Sequence, residues 1–159
     1  MFLRTCVDDA ATQAAGADFA VVLRPGDVVL LTGPLGAGKT TFVKGVARAL
    51  GVSERVTSPT FTMVRQHEAR NAAGITTLHH ADVYRVESLG EVLDLDLGEL
   101  VEESAVALVE WGELASSVFG PEVLRVEISC SDEDETRRIA VSGAIDAARD
   151  GALTNWSET

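Results

Sequence analysis

Cysteine is nearly absent. Cys6 and Cys130 are the only two, far apart and without a C-x-x-C pair. No disulfide framework is expected, and the thiols read as packed or idle in a reduced compartment. Long hydrophobic runs are also missing, and no stretch reaches the roughly 20 residues that a membrane span needs. The opening Met1-Phe2-Leu3-Arg4-Thr5-Cys6-Val7-Asp8-Asp9 lacks the basic start and apolar stretch of a secretory signal, so a cytoplasmic location is expected. Positive charge is scarce: 13 Lys and Arg face 25 Asp and Glu, for a net charge of −12. A broad acidic surface repels nucleic-acid phosphates, which argues against tight direct binding of DNA or RNA. Only Lys39 and Lys44 are lysines. There is no low-complexity linker and no internal repeat. A length of 159 residues with 46% hydrophobic content fits one domain around one core.

One of those lysines lies in the stretch that organises the chain. Gly33-Pro34-Leu35-Gly36-Ala37-Gly38-Lys39-Thr40 is G-x-x-x-x-G-K-[ST], the phosphate-binding loop pattern. Val28-Val29-Leu30-Leu31 before it reads as a buried strand. After it, Phe42, Val43, Val46, Ala47 and Leu50 share one helical face, and Gly51 supplies a stop. Strand, loop and helix in that order are the context the motif requires. The chemistry explains the residue types. Gly36 and Gly38 let backbone N–H groups turn inward, and the helix aims its positive end at the same point. Lys39 adds a charge for the β- and γ-phosphates, and the Thr40 hydroxyl suits Mg²⁺.

The rest of the chain frames this loop. Residues 9–20 read as a helix capped by Asp8 or Asp9. Arg24-Pro25-Gly26-Asp27 is a turn. Ser58-Pro59-Thr60 opens an extended segment over 61–65; Ser58 and Thr60 read either as reporters of a γ-phosphate or, the favoured reading, as a simple turn. Residues 67–75 read as a hairpin or loop tip, and 76–85 as a strand in which Asp82 falls where the strand ends. His79 and His80 read as strand or core histidines, because no ligand spacing for zinc accompanies them. Residues 87–103 are acidic and Leu-rich and read as one or two short helices, their charges forming either a solvated face or a docking surface for another protein.

Ala105-Val106-Ala107-Leu108-Val109-Glu110-Trp111 is the second strong signal, an apolar strand ending in a carboxylate. That pattern holds Mg²⁺ beside a phosphate loop. Which of Asp82 and Glu110 would ligate the metal stays open on the residues alone. Trp111 is either core or a wall of the site. Residues 112–119 read as a short helix. Residues 124–130 and 137–141 read as an antiparallel pair around an exposed acidic turn, extending one edge of the sheet. From Ala144 on, the expectation is a brief helix that frays. The fold class is therefore α/β, with three layers, a mostly parallel central sheet and a late antiparallel hairpin.

Three blocks stand together in order: Gly33 to Thr41; Ser58-Pro59-Thr60-Phe61-Thr62; and His80-Ala81-Asp82-Val83-Tyr84-Arg85 followed by Val109-Glu110-Trp111. In this arrangement the chain resembles the TsaE family, also known as YjeE, from about residue 3 to residue 143. The resemblance implies a P-loop ATPase of tRNA threonylcarbamoyladenosine biosynthesis that uses Mg-ATP. Its implied partners are the TsaD and TsaB proteins, which modify adenosine 37 of tRNAs reading codons that begin with A; tRNA is reached only through them. It further implies an ATP-binding set of Gly33, Leu35, Gly36, Ala37, Gly38, Lys39, Thr40 and Thr41. Thr40 and Glu110 would ligate Mg²⁺, with Asp82 beside the metal and the attacking water. Lys39, Asp82 and Glu110 form the implied catalytic group; Ser58 and Thr60 belong to a switch-like loop, and Tyr84 and Trp111 to motifs needed for activity. Many members carry Asp where this chain has Pro34, a position that points away from the phosphates. The implied domain is 1–143, with 144–159 as a tail.

The residues themselves favour water as phosphate acceptor. A kinase needs an acceptor pocket, usually rich in Arg, and the candidates Arg65, Arg70 and Arg85 are few. The competing readings are a small-molecule or nucleoside kinase and a non-hydrolysing, ATP-dependent binding module. Adenine is expected near Thr5–Thr12.

Overall fold

The computed structural model describes residues 1–59, 63–84, 88, 90–91, 100, 103–111, 116–131 and 136–159. Thr60, Arg85, most of the acidic 87–103 segment, the start of the expected 112–119 helix and the acidic turn at 132–135 lie outside the described residues.

The elements run β1 (Phe2–Cys6), α1 (Asp9–Phe19), β2 (Val28–Thr32), α2 (Lys39–Ala49), β3 (Val64–Glu68), β4 (Thr77–Asp82), β5 (Ala105–Glu110), α3 (Ser116–Phe119), β6 (Leu124–Cys130), β7 (Arg137–Gly143) and α4 (Ala147–Glu158). A 3₁₀ turn, Ala20–Val22, follows α1. The strands form one seven-stranded sheet in the order β1-β7-β6-β2-β5-β4-β3. Its middle is parallel: β2 pairs with β5 and β6, and β5 with β4. The β3, β7 and β1 pairings are antiparallel.

The apolar run of β2 serves both faces of this sheet, as strand alternation requires. Val29 and Leu31 pack with Phe19, Phe42, Val43 and Val46 from α1 and α2. Val28 and Leu30 join Val109, Ala107 and Val123 on the other face, where Val118, Phe119 and Trp111 add partial cover. All six residues of β5 are buried. Central position in a two-sided core explains why β2 and β5 have the most apolar sequences. Phe19 and Phe42 are fully buried with ring centroids 5.5 Å apart, and each contributes roughly 1.5–3 kcal/mol of transfer free energy.

Helices α1 and α2 touch through glycine. A Cβ at Gly45 would lie 2.0 Å from the Gln13 carbonyl oxygen, and one at Gly16 would lie 2.2 Å from that of Phe42. The Asp8 side chain caps α1 by accepting from Ala11 N at 2.7 Å.

The structure departs from the sequence reading at three places. β1 was not anticipated; it pairs with β7 and so lies outside the late hairpin. The expected strand over 61–65 appears as β3 at Val64–Glu68, because its pairing continues to Thr77. The end of the chain is a helix through Glu158 that buries Leu153 and Trp156, instead of a brief helix that frays. Trp156 Nε1 donates to Ala15 O at 2.9 Å, and Arg149 reaches both Asp27 carboxylate oxygens at 2.6 Å.

Candidate functional site

The phosphate-loop pattern connects β2 to α2, and its glycines are structurally required. Gly33 has φ 133°, and a Cβ there would sit 2.0 Å from the Ile128 carbonyl oxygen. Gly36 and Gly38 have φ of 80° and 107°. Ala37 N closes the turn on Pro34 O at 3.2 Å, and Phe42 N bonds Gly38 O at 2.9 Å as α2 begins. The N–H groups of that first turn have no partner within the helix itself.

Lys39, at the first position of α2, is 4% exposed. Its Nζ donates to Gly33 O at 2.7 Å and Pro34 O at 2.9 Å, and it lies 3.8 Å from the centre of the Trp111 ring. The loop thus holds its ammonium over an aromatic face. Trp111 itself packs against Tyr84, ring centroids 4.7 Å apart and tilted by 43°, and Tyr84 is more than half exposed.

The acids stand where the sequence puts them, at the ends of adjacent parallel strands, Asp82 opposite Glu110. Thr40 Oγ1 donates to Glu110 at 2.8 and 3.1 Å to its two oxygens. His80 Nε2 is 2.7 Å from Glu110 Oε1. Asp82 is held differently: Ser58 Oγ donates to one oxygen at 2.9 Å, and Tyr84 N to the other at 3.0 Å. Ser58 thereby joins the site, against the favoured reading of a simple turn. The backbone around these acids is strained. Met63 and Trp111 have φ of 58° and 60° without being glycine, a cost of about 1–3 kcal/mol each that concentrates at functional sites. Met63 O accepts from Asp82 N at 2.7 Å, so the strained residue ties the Ser58 segment to the end of β4.

Leu35, Gly36, Ala37, Gly38, Lys39, Thr40, Thr41, Ser58, Asp82, Tyr84, Glu110 and Trp111 line one cleft of about 410 Å³. Gly33 lies at its foot as the partner of Lys39; Thr60 is outside the described residues. Arg65 bonds Thr57, and Arg70 pairs with Glu68 at the surface; neither lines the cleft. His80 was missed as a site residue. Its signal was available, since positions 80 and 82 share one face of a strand.

A glycine loop that turns a parallel strand into a helix at Lys39, with carboxylates on the neighbouring strand ends, defines a P-loop nucleotide-binding protein of the α/β class. The family model described as "Threonylcarbamoyl adenosine biosynthesis protein TsaE" matches residues 6–139. The chain belongs to the TsaE family, whose role is in tRNA threonylcarbamoyladenosine biosynthesis. It is 41% identical to the tRNA threonylcarbamoyladenosine biosynthesis protein TsaE of Bacillus subtilis over 129 residues, covering 81% of this chain and 78% of that one. The TsaE of Streptomyces coelicolor is 40% identical over 132 residues, covering 80% and 87%. Among solved structures, YdiB of Bacillus subtilis superposes with a TM-score of 0.71 at 31% identity, over 98% of this chain and 93% of the other.

Proposed function

We propose that this protein is a Mg²⁺-dependent ATPase that drives or resets a complex of the TsaB and TsaD proteins during threonylcarbamoylation of tRNA. The observation that carries the reading is the convergence of Lys39, Thr40, Ser58, Asp82 and Glu110 in one cleft at the mouth of the phosphate loop.

The donor set fits magnesium. Thr40 Oγ1 and the Glu110 carboxylate are hard oxygen donors in mutual contact, with Asp82 on the next strand end. Among the described residues no group of three or more His, Cys, Asp and Glu stands ready to hold a metal ion. Magnesium suits such a site because it uses one or two carboxylates and takes its other ligands from water and phosphate. Thr40 and Glu110 would hold it directly and Asp82 through water, and it would neutralise phosphate charge.

The chain's own groups supply the rest. The loop amides and the N-terminal end of α2 bind phosphate. Lys39 exchanges its carbonyl partners for phosphate oxygens. Asp82, fixed by Ser58 and Tyr84 N, keeps lone pairs with which to orient a water molecule. The base is assigned to the region of Thr5. A cleft of about 430 Å³ lined by Thr5, Ser129 and Cys130 supports this, as Cys130 Sγ lies 3.8 Å from Ala37 O of the loop.

Reconstitution tests the proposal. With TsaB, TsaD, ATP and the activated threonylcarbamoyl donor, this protein should raise tRNA modification over many turnovers, and Lys39→Ala should not. Equal modification with the variant would refute an ATPase role. Phosphate transfer to an added small molecule would point instead to a kinase.

A further inference from the structure

Arg4, Arg24, Arg70, Arg137 and Arg149 each stand against a carboxylate. With 25 acids to 13 bases, such pairing is within easy reach of any cation in this molecule. Lys44, Arg48 and Arg55 break the pattern. All three are exposed and rim one cleft of about 300 Å³. Among the described residues none of them makes an ion pair or a side-chain hydrogen bond.

Local structure brings them together. Lys44 and Arg48 are four residues apart on α2 and so share a face. Gly51, at φ 76°, turns the chain back, and Val52 N bonds Ala47 O at 3.0 Å. That return carries Arg55 to the same cleft. The floor is apolar, with Ala47 and Val56 buried and Val52 packed against the core. Glu54 shares the rim, but its Oε1 lies 2.7 Å from His67 Nδ1 of β3. The negative end of α2 accounts for Arg48, which lies in the last turn. It does not account for Lys44, one turn earlier, or for Arg55 outside the helix.

Free cations over an apolar floor are complementary to carboxylates carried beside apolar side chains, the surface of an acidic protein segment. RNA fits less well. A long polyanion meets the field of the whole chain, at −12, whereas a short acidic segment feels mainly the charges within a Debye length. Among the described residues no aromatic side chain lines the cleft to stack a base. The cleft also connects to the phosphate loop's acids. Arg55 stands shortly before Ser58, whose hydroxyl donates to Asp82. Between them Val56 is buried and Thr57 Oγ1 accepts from Arg65. A protein that grips Arg55 therefore acts on the segment that holds Asp82.

We infer that the Lys44–Arg48–Arg55 cleft docks an acidic segment of the partner proteins that stimulate phosphate release, and that docking acts on Asp82 through residues 55–58. The inference rests on the ATPase reading above and gives its partners a place to bind.

The experiment measures binding of the TsaB–TsaD complex to the full chain by interferometry, and phosphate release from Mg-ATP with and without that complex. The variants are Arg48→Glu/Arg55→Glu, Arg48→Gln, Arg55→Gln and Arg125→Glu, each checked by its melting temperature. Arg125 lies on β6 next to Val126, which faces α1 and α2, so Arg125 is on the opposite face of the sheet and controls for charge alone. The double reversal should weaken partner binding about 30-fold or more, with ATP affinity and basal release unchanged. Arg125→Glu should bind as the wild type does. At saturating partner Arg48→Gln should recover the wild-type rate, while Arg55→Gln should stay below roughly half of it. The two Gln variants decide the matter if the double reversal does not fold. Partner binding unchanged in the double reversal, or weakened as much by Arg125→Glu, would overturn the docking face. Equal recovery of the two Gln variants would overturn the coupling to Asp82. Labelled tRNA that binds the chain alone and is lost in the double reversal, with partner binding intact, would replace the acidic segment by RNA and overturn the inference. A wild type that hydrolyses ATP but neither binds nor responds to TsaB–TsaD would overturn the partner reading and the inference with it. No release from any mixture, with partner binding still lost in the double reversal, would refute the ATPase reading and uphold the docking face.

Discussion

At the scale of single residues, the site is a set of hydrogen-bonded acids that await different work. Glu110 is 3% exposed and is shared by the Thr40 hydroxyl and the fully buried His80 ring. Glu110→Gln keeps an acceptor for Thr40 but removes the charge. Phosphate release should fall by about 100-fold, while ATP binding measured in a chelator should persist. His80→Ala takes a buried donor from the carboxylate and should cost about 2 kcal/mol of stability in urea unfolding. Both acids were legible because each ends an apolar strand. His80 and Ser58 were harder to read from the residues, since a histidine or serine in a strand or turn has many bland uses; the shared strand face of 80 and 82 hinted at the first, and only the family resemblance pointed to the second. Only the fold brings Ser58 to Asp82 across 24 residues of sequence.

At the scale of elements, the loop's position depends on how closely α1 meets α2. Ala normally favours a helix over Gly by about 1 kcal/mol. At Gly45 the added methyl would strike the Gln13 carbonyl, and the helices would have to separate. Gly45→Ala should therefore destabilise the protein by about 2 kcal/mol or more in chemical unfolding, and weaken ATP binding through the displaced N-terminus of α2. The elements carrying strong periodicity or apolar runs, namely α1, α2, β2, β5 and the β6–β7 hairpin, were readable before the fold. β1 was not: five residues with alternating burial give a short signal, and pairing with β7 decides it. α4 was hidden by its composition. Its buried apolar contacts are Leu153 and Trp156, and its polar anchors include the buried Arg149 side chain on Asp27.

At the scale of the whole molecule, the two ends of the chain are packed together on the helical face of the sheet. Trp156 lies against Phe19, with the Arg4 guanidinium 5.7 Å from its ring. Trp156→Ala should lower stability by about 3 kcal/mol in urea unfolding. The Arg24–Asp146 pair adds a pH dependence at the start of α4. The Arg24 guanidinium beside Asp146, together with a bond from the Arg149 N–H, holds its carboxyl well below the usual carboxylate range. A depressed pKa means that this stabilisation is present at neutral pH and is lost as pH falls below the usual range, around pH ~4. Asp146→Asn should therefore melt lower than wild type at pH 7, and the two melting curves should converge in acid. Among the described residues no helix is long and apolar enough to cross a membrane. Phosphate release from Mg-ATP reads the cleft as a whole, measured for the protein alone, then with TsaB and TsaD, with Lys39→Ala as control. An ATPase cleft gives slow release alone, faster release with the partners and none from the variant. ATP bound tightly with no release under any condition, or release unchanged in Lys39→Ala, would contradict it.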